Sequence, residues 1–219
     1  MIIDNVHRVQ ARIAAACRRV NRDPAGVTLV AVTKGRPVDD ILQILEAGVF
    51  DIGENKIQEA SEKYEAVPRL SKVPQAVRWH MIGHLQTNKV KDAVRIFDLI
   101  HSVDSPRLAQ EIDKQAEKIG KIQDILIEVK TSPEATKFGI DAQELGHLIE
   151  QIAPLSNVRL KGLMTMAPYG KTAESARPYF RSMRNLGQSV LSMGMSDDFE
   201  TAIEEGAAIV RVGRALFEE

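Results

Sequence analysis

The chain has 219 residues, 44% hydrophobic and 27% charged, a composition that excludes a disordered or collagen-like polymer and leaves room for one large domain or two small ones. Lys and Arg total 29 against 30 for Asp and Glu, so a net charge of -1 excludes long-range attraction to nucleic acid or an anionic membrane. A lone cysteine, Cys17, excludes an internal disulfide framework and a multi-cysteine metal cluster.

At the start of the chain Ile2, Val6, Val9, Ile13 and Ala16 recur at helical spacing until Asp23-Pro24, which predicts an amphipathic helix over 2–20 with Cys17 as a half-buried structural residue. Charges every few residues rule out reading this segment as a signal peptide or a membrane span, and no later run reaches the roughly 18 apolar residues that a span needs, so a cytoplasmic protein is expected. A β-branched run over 27–33 reads as a strand, and Pro37 opens a helix carrying Val38, Ile41, Leu42 and Leu45 that Gly48 ends. The rhythm repeats with strands over 49–52, 77–82 and 98–101 and helices over 56–67, 87–94 and 106–119. It continues with strands over 124–129 and 158–164, helices over 142–152 and 173–188, and final strands over 190–193 and 208–212 around a helix over 197–205.

Strand alternating with helix predicts a parallel sheet covered by helices, and eight strands close a barrel. The fold class is α/β, a single (β/α)8 TIM barrel with an extra N-terminal helix, and residues 1–219 form one domain because no linker or composition break divides them. A doubly wound sheet shares the alternation but lacks here its G-x-G-x-x-G at the first turn. The chain ends too soon after strand eight for a full closing helix, so the N-terminal helix is expected to cover the seam between strands eight and one.

Barrel sites gather at the carboxyl ends of the strands. Strand one ends in Val32-Thr33-Lys34-Gly35, and Lys34 is in phase with Val30 and Val32. If that face is the interior, desolvation would expose a neutral amine able to attack an aldehyde; the plain alternative is a lysine reaching into solvent. Strand eight puts Arg211 and Gly213 on one face, where a buried arginine needs an acceptor and a glycine admits a ligand to the backbone. The strand-seven exit, Met193-Gly194-Met195-Ser196-Asp197-Asp198, offers Ser196 either as a phosphate partner or as an ordinary N-cap, and a phosphate there requires both aspartates turned away. His80 and His84 lack a carboxylate or cysteine to complete a metal set, so hydrogen-bonded or solvated histidines and no metal are expected. Asn55, Asn88 and Lys89 read equally well as ordinary loop and surface residues.

Taken together, Ala31-Val32-Thr33-Lys34, Phe50-Asp51-Ile52-Gly53-Glu54-Asn55, Trp79-His80-Met81-Ile82-Gly83, Lys137-Phe138-Gly139, Arg159-Leu160-Lys161-Gly162-Leu163-Met164-Thr165, Ser192-Met193-Gly194-Met195-Ser196 and Val210-Arg211-Val212-Gly213 resemble the pyridoxal phosphate homeostasis proteins, the YggS-type family of single-barrel PLP binders. The likeness runs from the first strand to the last and departs from the family pattern at Lys56-Ile57 and Lys130, which alter the charge of the mouth. The resemblance implies a barrel like that of alanine racemase and a pyridoxal 5'-phosphate (PLP) held on Lys34 as a Schiff base, with Arg211 at the pyridine nitrogen. It implies Asn55 near the ring, the phosphate near Ser196 and the Gly213-Arg214 backbone, and Met193 among the cofactor-binding residues. An arginine at that nitrogen keeps it unprotonated and weakens the ring as an electron sink, and the chain has no residues for the second domain of the racemases.

The implied role is PLP homeostasis and transfer without turnover, so not an enzyme. The alternative is a PLP-dependent racemase or aldolase acting on a small amino acid, and a third reading is a barrel binding another phosphorylated metabolite without an imine. Expected partners are PLP and PLP-dependent apo-enzymes, with no nucleic acid and no membrane, and the expected assembly is a monomer.

Overall fold

Eight short apolar runs become eight parallel strands in the computed structural model, which describes residues 1–74, 76–131, 138–168, 170 and 172–218. They are β1 (Thr28–Val32), β2 (Asp51–Glu54), β3 (Arg78–Met81), β4 (Leu99–Val103), β5 (Gln123–Glu128), β6 (Val158–Met164), β7 (Val190–Ser192) and β8 (Ile209–Val212). Each pairs with its neighbour in chain order, and β8 pairs with β1 with Val30 opposite Arg211, so the sheet closes as a barrel. The helices are α1 (Ile2–Arg19), α2 (Val38–Glu46), α3 (Ile57–Leu70), α4 (Val90–Ile96), α5 (Pro106–Glu117), α6 (Leu145–Ile152), α7 (Arg177–Arg184), α8 (Phe199–Glu204) and α9 (Arg214–Phe217).

Alternation along each strand sorts the side chains into two layers. Leu29, Ala31, Ile52, Trp79, Met81, Ile100, Ile125, Ile127, Leu191, Met193, Val210 and Val212 join the large core between sheet and helices. Val30, Leu126, Met164 and Ile209 form a separate small cluster inside the barrel. The interior phase therefore also contains Asp51, His80, His101, Glu128, Ser192 and Arg211, all buried.

The α1 helix covers the β8–β1 seam, packing on α8 and α9. Its Asn5 Nδ2 donates to the Leu216 carbonyl at 3.2 Å, and beyond its end Arg22 donates to the carbonyls of Ile203 and Ala207 at 2.7 and 2.9 Å. Arg12 and Arg19 pair with Glu200 and Glu204 on α8 at 3.1 and 2.6 Å. Cys17 is wholly rather than half buried, and burial pushes its thiol above the ordinary range, which fits a structural residue.

Several boundaries differ from the sequence reading. The β2 strand starts at Asp51 rather than 49 and runs through Glu54, so Glu54 is a buried strand residue and not a loop residue. Single 3-10 turns, Thr87–Lys89, Ala142–Glu144 and Ala173–Ala176, precede α4, α6 and α7. The α7 helix stops at Arg184 before Gly187, whose φ of +76° breaks the helix, and the four-residue α9 was not anticipated.

Candidate functional site

Five of the six interior polar residues, all but Glu128, form one hydrogen-bonded chain across the barrel. Arg211 donates from Nη1 to Ser192 Oγ at 2.7 Å and from Nη2 to the Thr165 carbonyl at 2.9 Å. Ser192 Oγ lies 2.9 Å from His101 Nδ1, His101 Nε2 lies 2.9 Å from His80 Nδ1, and His80 Nε2 lies 3.0 Å from Asp51 Oδ1. Arg78 closes the far end with two bonds to the Asp51 carboxylate, at 2.8 and 2.5 Å.

Burial sets the charge states along this chain. It pushes His101 well below the ordinary imidazole value, helped by the nearby His80 and Arg211, so this ring is neutral at neutral pH. Burial also lowers Arg211 to about 10, against the attraction of Glu128 and Asp198, and leaves it a cation at neutral pH. For Asp51 burial pushes the carboxyl up, but the bonds from His80 and Arg78 outweigh it and hold the group below the usual carboxylate range. Arg211 can only donate and the Asp51 carboxylate can only accept, so Arg211 donates to Ser192 and His80 donates to Asp51. The neutral His101 ring between them donates at one nitrogen and accepts at the other.

Lys34 stands on the rim, two residues past the end of β1, and is exposed. The desolvation that its phase suggested is therefore not met, because phase fixes the side of a strand and not the depth beyond its end. Asn55 follows β2 and is half-buried. Gly83, after β3, admits the Asn55 backbone so closely that a Cβ there would lie 2.5 Å from its carbonyl oxygen. Asn55, Lys56, Gln58, His84 and Lys89 line a cleft of about 590 Å³ beside the mouth.

At the β7 exit Ser196 is not the N-cap of α8, which Asp198 holds. Its Oγ instead accepts the Ala215 N–H of α9 at 3.2 Å and ties the β7 exit to the β8 exit. Asp197 pairs with Arg214, and Asp198 Oδ1 accepts the Met195 N–H at 2.6 Å, so both carboxylates are engaged. Gly213 and Arg214 form the start of α9. Met193 is wholly buried between sheet and helices, which leaves its side chain no surface to offer a ligand.

Among the described residues no group of three His, Cys, Asp or Glu could hold a metal, and His80 and His84 part company: His80 is in the interior chain, whereas His84 stacks on Phe138 at 3.9 Å. Lys137 and Tyr169 lie outside the described residues. The sequence reading missed His101, Ser192 and Glu128. Each is a polar residue flanked by outward-facing apolar strand neighbours or continuing that phase, the same signal that singled out Arg211. Glu128, at the end of β5, is raised to about 7 by burial and by Asp104, against the attraction of Arg211.

The family model for the alanine racemase N-terminal domain matches residues 5–219. A pyridoxal phosphate homeostasis protein of Aquifex aeolicus is 43% identical over 226 residues, covering 99% of this chain and 97% of its own. The structure of PipY of Synechococcus elongatus PCC7942, with PLP bound, is 35% identical and superposes with a TM-score of 0.82, covering 94% of this chain and all of that one. An alanine racemase of Clostridium difficile shares the fold at 15% identity and a TM-score of 0.69, and this chain covers 57% of it.

Proposed function

Because the chain belongs to the pyridoxal phosphate homeostasis protein family, we propose that it binds PLP at the barrel mouth and holds it for transfer, without turning over a substrate of its own. Residues 1–219 act as one PLP-binding domain. The observation that carries this reading is Arg211, a buried cation pinned in the barrel wall opposite Val30, on the strand whose exit bears Lys34.

The residues at the mouth fit the group. Lys34 offers an exposed amine for covalent attachment, and Arg211 offers a fixed donor to an aromatic nitrogen. Ser196, the linked Ala215 N–H and the Gly213-Arg214 backbone gather polar atoms for a phosphate at the exits of β7 and β8. Asn55 borders the ring, and Met193 is dropped from the ligand contacts because its side chain is enclosed. When bound, PLP supplies an aldehyde that takes a lysine amine reversibly and a pyridine ring whose electron demand depends on protonation of its nitrogen.

Arg211 can only donate, and it stays charged at neutral pH. The nitrogen it faces is thereby held as an acceptor, which weakens any stabilisation of a carbanion and favours storage over racemisation. Neither tyrosine among the described residues offers an acid at the mouth: Tyr64 sits in α3 against Trp79 at 6.0 Å, and Tyr179 sits in α7. The proposed recipients are PLP-dependent apo-enzymes in the cytoplasm, served by a monomer.

Two measurements test the reading. PLP added to the purified protein is expected to give a visible absorption band that borohydride abolishes; an unchanged spectrum contradicts covalent binding. The loaded protein is expected to leave the Cα proton of alanine in place, and sustained deuterium incorporation at about 1 to 1000 per second would restore the enzyme reading.

A further inference from the structure

The loop that carries Lys34 is gripped by a buried charge cluster outside the interior chain. Lys63 lies on the buried stripe of α3 between Ala60 and Val67, where the spacing calls for an apolar residue. Its Nζ donates to the Thr33 carbonyl at 2.7 Å, to Glu54 Oε1 at 2.7 Å and to Glu59 Oε1 at 2.6 Å, which uses all three ammonium protons. The Thr33 hydroxyl donates to the same Glu54 oxygen at 2.5 Å, and Glu59 Oε1 also accepts the Gly35 N–H at 2.5 Å. The carbonyl just before Lys34 and the amide just after it are thus tied to one ammonium-carboxylate group.

Such a cluster is a costly way to hold a helix on a strand. Removing an ammonium and two carboxylates from water offsets most of their attraction, and an apolar side chain at 63 would pack α3 as well. Glu54 bears this cost openly: it is wholly buried, and its Oε2 has no hydrogen-bond partner among the described residues. What an apolar residue could not do is fix the two peptide groups that flank Lys34. Gly35 adopts a φ of +70°, so the turn that starts the rim loop is set at the residue whose N–H Glu59 holds.

We propose that Lys63, with Glu54 and Glu59, is a positioning cluster that fixes the Thr33–Gly35 backbone and aims the Lys34 amine into the barrel mouth. The proposal rests on the reading of Lys34 as the attachment point and adds the residues that hold it there.

The test uses Lys63→Met, Glu59→Ala and Glu59→Gln in the full chain. Exchange of the Gly35 amide is read without PLP, and the PLP dissociation constant and the rate of borohydride-trapped adduct formation are read with it. Glu59 is partly exposed, so Glu59→Ala is expected to keep the native thermal transition even if Lys63→Met unfolds. It is expected to speed Gly35 exchange about tenfold, slow adduct formation about tenfold and weaken PLP binding by a similar factor. Glu59→Gln keeps an acceptor for the Gly35 N–H and is expected to restore most of both. Native adduct rates and affinity in folded Glu59→Ala, whether or not Gly35 exchange changes, overturn the proposal. An adduct of the unaltered protein on a lysine other than Lys34 overturns the functional reading beneath it, and the unliganded exchange measurement separates the two failures.

Discussion

Arg211 and Lys34 enter the same mouth from adjacent strands, yet they are held in opposite ways. Arg211 sits inside the barrel, 4% exposed, with its guanidinium bonded to Ser192 and Thr165 and hydrogen-bonded through Ser192 and two histidines to Asp51. Lys34 sits past the strand end, exposed, with only its flanking backbone fixed. A rigid interior cation sets the electronic state of whatever ring it faces, and a lysine open to water lets a covalent bond form and hydrolyse. The combination suits a carrier: discrimination is built into the wall and exchange into the rim.

The contrast breaks most sharply at Lys34. Lys34→Ala is expected to abolish borohydride-trapped PLP while shifting unfolding free energy by no more than about 0.5 kcal/mol, because an exposed side chain packs little. Weak, non-covalent binding is expected to remain in calorimetry. A collapse of the thermal transition would make Lys34 structural and erase the distinction between rim and wall.

Glu128 tests the wall through pH. Its folded-state pKa is raised from 4.5 to about 7, so between these values the native state holds a proton that the unfolded chain releases. Its contribution is present in full below about 4.5 and lost as pH rises through about 7, a fall on the order of 3 kcal/mol. Urea unfolding between pH 5 and 8 reads this slope, and Glu128→Gln is expected to flatten it. An identical slope in the variant would place the titration elsewhere.

A smaller effect is expected at His101. Replacing it with leucine removes one hydrogen-bond partner from the Ser192 hydroxyl and one from His80 Nδ1, at about 1–3 kcal/mol by chemical denaturation. Because the chain fixes Arg211 through Ser192, the absorption band of bound PLP is also expected to shift. An unshifted band would mean that Arg211 is held by Thr165 alone.

The smallest effect belongs to the β7 exit. Ser196→Ala removes the acceptor of one N–H at a half-exposed position, worth about 0.5–1.5 kcal/mol of stability. PLP affinity is expected to fall more than pyridoxal affinity. Equal losses for the two would move the phosphate away from Ser196.

The barrel itself was legible in the sequence because eight β-branched runs alternate with amphipathic segments, and β6 falls on the expected residues 158–164. The α1 helix was legible from the spacing of Val6, Val9, Ile13 and Ala16, which is the face it buries. Arg211 was found from its phase, and the same phase marks His101, Ser192 and Glu128. Their partnership was not legible, because His101 and Ser192 are 91 residues apart and meet only through closure of the barrel. Lys34 shows the converse failure: alternation gave its side of the strand, but its exposure depends on where β1 ends. Lys63 was hidden by its type, a lysine on a helix stripe whose burial depends on acceptors from β1 and β2.

Borohydride reduction of the loaded protein, followed by peptide mass mapping, asks whether the rim lysine of β1 and the wall arginine of β8 serve one bound PLP. One adduct per chain, on Lys34, is expected. An adduct on Lys56, Lys89 or Lys137 with Lys34 unmodified would contradict it.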